Sequence, residues 1–179
     1  YMEFPGSKNT ICTEAALGQY QDGANATEAK PCEAGRFSTV KGSTACEPCR
    51  AGGYCDEPGA SSASVFQPCP QGTWSDKIEL NTSAGCLNCS AGTYQPITEA
   101  THEGKCLQCR RGTAGAATGL ASCPDCAPGK FMNETGATAC RDCTPGYYCI
   151  KGSSAPLPCP AGTHKNASLL VMSDPSQCV

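Results

Sequence analysis

A short pattern of Cys, Gly and an aromatic residue recurs along the chain and restricts what it can fold into. A Cys opens each instance, Gly follows three residues later, and an aromatic side chain usually stands two residues beyond the Gly. Such a short period is typical of a tandem array in which each unit contacts mainly its neighbours. Six instances open at Cys32, Cys69, Cys89, Cys109, Cys126 and Cys159, and two shorter ones, at Cys49 and Cys143, have a further Cys directly after the aromatic residue.

The apolar residues cannot form a core large enough for the length of the chain. Leu, Ile, Val and Phe together number 20 of 179 residues, a fraction typical of chains that stay disordered without another constraint. The 17 Cys supply that constraint as disulfides. Short segments between Gly and Pro turns suit hairpin strands and are too short for helices. We therefore predict a small disulfide-rich fold, an elongated tandem array of short Cys-rich β-hairpin modules with little regular secondary structure.

A degenerate unit near the start of the sequence indicates how the Cys pair. Gly18 and Tyr20 match the Gly and aromatic positions, which puts the opening position at Ala15 and the closing position at Ala29. Both Cys are missing together, as expected if an opening Cys bonds the closing Cys of its own unit, because loss of one alone would leave a reactive thiol. The predicted long-module pairs are Cys32 with Cys46, Cys69 with Cys86, Cys89 with Cys106, Cys109 with Cys123, Cys126 with Cys140 and Cys159 with Cys178; the short modules would pair Cys49 with Cys55 and Cys143 with Cys149.

This scheme leaves Cys12 unpaired within the chain, in a closing position whose partner would precede residue 1. An intermolecular bridge is the alternative. The predicted organisation is the end of a preceding repeat at 1–14, a degenerate repeat without a disulfide at 15–31, a long and a short module at 32–69, three long modules at 69–126, a second long and short pair at 126–159, and a last module at 159–179, after which we expect the array to continue.

Two further expectations concern packing within the array. We expect each aromatic side chain to lie across its disulfide or the neighbouring hairpin as a one-residue core, and a loose joint at Ala114, where the aromatic residue is missing. The Gly/Ser/Ala-rich stretches 58–64 and 152–156 follow the short modules, and their composition predicts flexible joints.

Cysteine density and glycosylation motifs both predict an extracellular or cell-surface location. A reducing cytosol would keep so many thiols open. Five of the six Asn stand in Asn-x-Ser/Thr motifs, where about one is expected by chance, so we expect N-linked glycans and no cofactor. A formal net charge of -3 without basic clusters argues against nucleic acid as a partner, and the longest aliphatic run, 169–172, is too short to insert into a membrane. The five motifs lie at Asn25, Asn81, Asn88, Asn133 and Asn166.

The combined register of Cys, Gly and aromatic residues, clearest over 140–163 and 86–94, resembles the ephrin-receptor-like cysteine-rich repeats, which are related to tumour necrosis factor receptor modules. The resemblance covers residues 15 to 178. It implies an elongated ectodomain stalk, similar to the long arrays in surface and appendage proteins of protists and algae, and it implies no catalytic residue. The chain departs from the pattern at Ala15, Ala29, Ala114 and His164.

Pairs of Cys separated by two residues also raise the possibility of zinc. Cys86, Cys89, Cys106 and Cys109 have the spacing of a four-Cys zinc ribbon. The same Cys belong to a register shared with units that lack this spacing, and the Asn88 motif lies inside the supposed knuckle, so we predict no metal site.

No arrangement of catalytic residues can be assembled from the sequence. His102 and His164 stand alone, and no Ser/His/Asp, paired-carboxylate or phosphate-loop pattern is present. Calcium binding at the acidic doublet Asp56-Glu57 has no further support. We therefore predict that the protein is not an enzyme.

Two functions fit these observations. The first is an extracellular structural glycoprotein, a rod-like repeat segment of a surface filament, sheath or appendage that associates with itself or with other extracellular structural proteins. The alternative is a receptor or adhesin ectodomain stalk that binds a protein ligand. The spread of glycan motifs over five units favours the first, because glycans would crowd most faces of a binder.

Overall fold

Short antiparallel hairpins make up the described part of the chain. The computed structural model describes residues 14–23 and 28–179. Within them it has seven two-stranded antiparallel sheets and no α-helix, which confirms the predicted fold class. The hairpins pair β1 (Gln19–Tyr20) with β2 (Lys30–Pro31), β3 (Arg36–Phe37) with β4 (Glu47–Pro48), β5 (Gly53–Tyr54) with β6 (Gln67–Pro68), β7 (Thr73–Trp74) with β8 (Leu87–Asn88), β9 (Thr93–Tyr94) with β10 (Leu107–Gln108), β11 (Lys130–Phe131) with β12 (Arg141–Asp142), and β13 (Tyr147–Tyr148) with β14 (Leu157–Pro158).

Nine units follow one another along this part of the chain. In each hairpin the aromatic residue pairs with the residue that follows the closing position, as Phe37 does with Glu47. The Gly of the pattern, called here the module glycine, has a positive φ in every unit and turns the chain into the first strand. Units 1 to 9 open at Ala15, Cys32, Cys49, Cys69, Cys89, Cys109, Cys126, Cys143 and Cys159.

A second residue with positive φ lies four or five residues after the aromatic position, and we call it the left-handed position. It is Gly in five units but Glu79 and Glu99, both with φ of 64°, in units 4 and 5. Between this position and the closing position lie either three or six residues. The three additional residues of units 3, 4 and 5 form single 3₁₀ turns, and unit 9 has one as well: η1 (Ala63–Val65), η2 (Ser83–Gly85), η3 (Glu103–Lys105) and η4 (Pro175–Gln177).

Eight disulfides staple units 2 to 9, one in each. They join the same sixteen Cys in the same pairs that the sequence predicts. Each closes a loop of 6 to 19 residues within its own unit. Loops of about 15 residues correspond to roughly 3 kcal/mol in the chain-entropy description of cross-links.

The short modules differ from the long ones by moving the second Cys. Cys55 lies directly after the aromatic residue, and Phe66 stands where a long module has its closing Cys, one residue before the strand that pairs with Tyr54. Pro156 has the equivalent place in unit 8. The hairpin register is therefore conserved while the cross-link changes position.

Unit 1 keeps the hairpin although it has no disulfide. Tyr20 pairs with Lys30, which puts Ala29 in the closing position, and Ala15 is fully buried where other units have the opening Cys. An exposed ion pair between the Lys30 ammonium and the Asp22 carboxylate, 2.7 Å apart, spans this hairpin. The hydrogen bond from Lys30 lowers the pKa of Asp22 and raises that of Lys30 itself.

The interior of the array is a row of small and sulfur-containing side chains. Apart from Cys159, every opening Cys is at most 3% exposed. The residue after the aromatic position, called the post-aromatic position, is also buried in units 2 to 8, as Ser75, Gln95 and Met132 show. The aromatic rings themselves are only half-buried. The expectation that each ring forms a one-residue core is therefore corrected, because the disulfide and the post-aromatic residue fill the centre.

Four backbone hydrogen bonds join each of units 1 to 7 to the unit that follows it. The module glycine donates its N–H to the post-aromatic carbonyl of the next unit, and its carbonyl accepts from the next opening N–H. The carbonyl of the opening residue accepts from the N–H of the left-handed residue in the next unit. The post-aromatic N–H donates to the carbonyl of the residue that follows that left-handed residue. At the joint of units 2 and 3 the donor–acceptor pairs are Gly35→Cys55, Cys49→Gly35, Gly59→Cys32 and Ser38→Ala60, with N···O distances of 2.7–3.0 Å.

All seven joints between units 1 and 8 carry this complete set. The joints of unit 6, which contains Ala114, to units 5 and 7 also have all four hydrogen bonds. A lower stability of these joints stays a prediction. The joint between units 8 and 9, both of which are fully described, has Cys149→Met172 alone of the four.

Contacts also extend to the second neighbour along the array. A Cβ placed on Gly72 would lie 2.0 Å from the carbonyl oxygen of Gly119, which is in the left-handed position two units further on. Gly18 has the same relation to Gly59, Gly35 to Glu79, and Gly112 to Gly152. Only a residue without a side chain allows this approach. Because the hydrogen bonds and ion pairs of the described residues reach no further than two units, the array is linear.

The two stretches expected to be flexible are part of these joints. Gly59 donates its N–H to Cys32, and Ala60 is 4% exposed and accepts from Ser38. In unit 8, Gly152 bonds Cys126 in the same way. Their composition reflects the left-handed backbone and the close packing of the joint, and flexibility of the two stretches stays a prediction.

Candidate functional site

Four of the five predicted glycan acceptors lie in the described part of the chain. Asn81, Asn88 and Asn133 are exposed and Asn166 is half-buried. They occupy three different places in the repeat, because Asn133 and Asn166 both lie two residues after the aromatic position whereas the other two do not. Asn25 and Cys12 lie outside the described residues. Glycan occupancy stays a prediction.

The Cys of the supposed zinc ribbon are bound in disulfides. Cys89 bonds Cys106, Cys86 bonds Cys69, and Cys109 bonds Cys123, so their sulfurs are not arranged around a common centre. Within residues 14–23 and 28–179, no group of three or more His, Cys, Asp or Glu is placed to hold a metal ion.

His102, His164 and the acidic doublet Asp56-Glu57 belong to three different units. His102 precedes η3, and its side chain makes no capping hydrogen bond. His164 is in the aromatic position of unit 9, and its backbone exchanges two hydrogen bonds with Val179. The Asp56 carboxylate accepts a hydrogen bond from the Gln67 amide at 3.0 Å, while Glu57 is exposed beside it.

Side chains also connect units that are two apart, which the sequence did not reveal. Arg36 of unit 2 forms an ion pair with Glu79 of unit 4. Arg50 of unit 3 forms one with Glu99 of unit 5 at 2.8 Å, and its guanidinium lies 4.1 Å from the centre of the Phe66 ring. The two Glu are the residues that replace Gly in the left-handed position. Their carboxylates reach the Arg because the module glycine docks against their carbonyl groups.

Shallow grooves recur beside the disulfides of the long modules. One of about 200 Å³ is lined by Tyr20, Glu33, Arg36, Ala45 and Cys46. Another of about 260 Å³ is lined by Tyr94, Arg110, Thr113, Ser122 and Cys123. The lining residues hold equivalent places in the two units: the preceding aromatic residue, the residue after the opening Cys, the residue before the aromatic position, and the closing Cys with its predecessor.

These features define a disulfide-rich array of short β-hairpins, consistent with cysteine-rich repeat modules. No protein-family model matches the chain, and no curated protein matches its sequence. The similarity to ephrin-receptor-like repeats therefore remains a resemblance of register. The eight disulfides indicate an oxidising environment. Among the described residues, no helix has the length and apolar character required to cross a bilayer.

Proposed function

We propose that the protein is an extracellular structural glycoprotein, a rod-like segment of a filament, sheath or appendage at the cell surface. One observation carries the proposal: seven successive joints have the same four backbone hydrogen bonds, and the module glycines of six of the units dock closely against a left-handed residue two units further on. A linear array held in this way resists bending, because rotating one unit would break bonds to two neighbours.

Glycans and disulfides fit the same role. Acceptors at three places in the repeat would cover several units with sugars, which would protect the rod from proteases and leave less free surface for a large ligand. Local cross-links keep each unit folded when a neighbour opens, so mechanical load is not transmitted through one shared core.

A receptor or adhesin stalk is the second candidate, and one observation supports it. Units 4 and 5 expose four large aliphatic side chains, with exposed fractions from 45% to 62%. The four side chains belong to two adjacent units, and extensive exposed apolar surface is typical of contacts with another protein. The four residues are Ile78, Leu87, Ile97 and Leu107.

Electron microscopy of the secreted, glycosylated chain distinguishes these functions. We expect straight rods with little variation in curvature, and lateral or end-to-end assembly as the concentration rises. Rods that stay separate and retain a soluble protein partner would favour the stalk. Flexible, irregularly bent particles would contradict the proposal, since they would show that the joints do not hold in solution. Mass spectrometry of the same sample tests the five glycan acceptors.

A further inference from the structure

Arg50 and Arg110 occupy the same place in their units, one residue after the opening Cys, but their surroundings differ. Arg50 binds the Glu99 carboxylate and lies over the Phe66 ring. Glu99 is in the left-handed position of unit 5, two units beyond Arg50. Phe66 is in the closing position of unit 3, the unit that contains Arg50.

Both partners are missing at Arg110. The left-handed position two units beyond it is Gly152, and its own closing position is Cys123. The backbone packing is shared, because Gly112 docks against the Gly152 carbonyl as Gly52 does against that of Glu99, although the Asp125 carboxylate lies beside Gly152. In the described part of the chain, no carboxylate forms an ion pair with the exposed Arg110, and no aromatic ring lies under its guanidinium as Phe66 does at Arg50.

A groove of about 260 Å³ lies beside this Arg. Tyr94 contributes an aromatic residue to its wall, and the hydroxyl-bearing Thr113 and Ser122 line it together with the disulfide-bonded Cys123. The Thr113 hydroxyl donates to the Arg110 carbonyl, which fixes the loop that carries the Arg. The groove thus presents a cation with fixed backbone next to apolar and hydroxyl surface.

We propose that this groove binds a segment of a protein partner that presents a carboxylate next to an aromatic ring. The chain itself shows which groups an Arg in this place accepts, a Glu carboxylate and a Phe ring face, and the positive charge at Arg110 is complementary to an acidic segment. The site stands whether or not the array forms a filament.

The test uses the complete, disulfide-bonded chain labelled with ¹⁵N and the probe N-acetyl-Phe-Glu-amide. We expect NMR shifts at the Arg110 Nε–Hε and at the backbone of Thr113 and Ser122, with a dissociation constant on the order of millimolar for so small a ligand. N-acetyl-Ala-Glu-amide and N-acetyl-Phe-Gln-amide, which each lack one group, should bind more weakly.

Two variants and one control locate the site. Arg110→Gln should weaken binding about tenfold, since it removes one exposed ion pair and one cation–π contact. Arg111→Gln, at the adjacent Arg, should leave binding unchanged. Gly152→Glu should supply the missing carboxylate from within the chain and compete with the probe, and Glu79 and Glu99 show that Glu is accepted at this φ.

Equal shifts in the wild-type and Arg110→Gln chains would overturn the proposal, as would the absence of shifts at tens of millimolar probe. Stronger binding of glucuronate than of the peptide would overturn the assignment to a protein segment. If Gly152→Glu does not fold, the comparison of Arg110→Gln with Arg111→Gln still decides the result.

Discussion

Replacing a module glycine by Ala tests whether second-neighbour docking stabilises the array. Gly72 has a φ of 82°, and an added Cβ would lie 2.0 Å from the carbonyl oxygen of Gly119. Gly146 is the matched control, because its φ is 92° but no atom would lie within 4 Å of its Cβ. The two substitutions share the cost of a left-handed Ala. They differ in the steric clash and, within the described residues, in the two hydrogen bonds to the next unit, which Gly72 forms and Gly146 does not.

The magnitude follows from these contacts. A left-handed Ala costs roughly 1–2 kcal/mol at either site. At Gly72 the clash forces units 4 and 6 apart and weakens the two bonds that Gly72 makes with Gln95 and Cys89, both 2.9 Å. With about 1 kcal/mol for each bond, Gly72→Ala should destabilise its joint by about 3–4 kcal/mol and Gly146→Ala by about 1–2 kcal/mol.

Amide hydrogen exchange of the oxidised chain measures this difference locally. A change of 3–4 kcal/mol corresponds to a loss of protection of a few hundredfold. In Gly72→Ala we expect it at the amides of Cys89, Glu99 and Gly119, and no change at the joint of units 1 and 2. Disulfide mapping confirms that both variants retain native pairing.

Equal loss of protection in the two variants would refute the reasoning. It would mean that backbone strain alone accounts for the effect and that the close approach to Gly119 contributes nothing. A loss spread over all nine units would contradict the local character of the joints as well.

Three further predictions concern single groups. Ser153 has a buried hydroxyl without a hydrogen-bond partner, in a place where units 3 and 5 have Ala. Ser153→Ala should therefore raise the free energy of unfolding by about 1 kcal/mol in denaturant titrations. Ser38→Ala should lower it instead, because the Ser38 hydroxyl donates a hydrogen bond to a carbonyl. Thiol reductants should open the half-buried Cys106 disulfide before the fully buried Cys55 disulfide, as pulsed alkylation and mass spectrometry can show; the reverse order would contradict control by access. The pKa of Asp22 is lowered, so its contribution to the stability of the unit 1 hairpin is present above the ordinary carboxylate pKa and is lost as the pH falls through the lowered pKa. Asp22→Asn should therefore flatten the acid dependence of amide hydrogen exchange in this hairpin. An unchanged pH profile would exclude the ion pair as the cause of that dependence.

The sequence predicts the cross-links and the hairpins well, because each depends on residues that few others can replace. Cys at both ends, Gly at a positive φ and an aromatic residue in the strand leave a register that survives even at Ala15 and Ala29. The paired loss at these two positions was sufficient to indicate pairing within a unit.

The joints were not predictable in the same way. Their hydrogen bonds are formed by backbone groups, so the post-aromatic position can be Ser, Gln, Met or Cys as long as it fits the interior. Glu79 and Glu99 conceal a left-handed backbone that Gly signals elsewhere. The ion pairs to Arg36 and Arg50 depend on units that are two apart, and no sequence spacing within one unit indicates them.

The two spacings between the left-handed and closing positions have a consequence for changes in the length of the chain. Units 3, 4 and 5 contain one additional 3₁₀ turn, yet their joints keep the same four hydrogen bonds as the shorter units. Residues inserted between the left-handed and closing positions therefore extend sideways without altering the axial stacking. Foreign peptides inserted at η1, η2 and η3 would be displayed on three successive units, with the distance between the units unchanged.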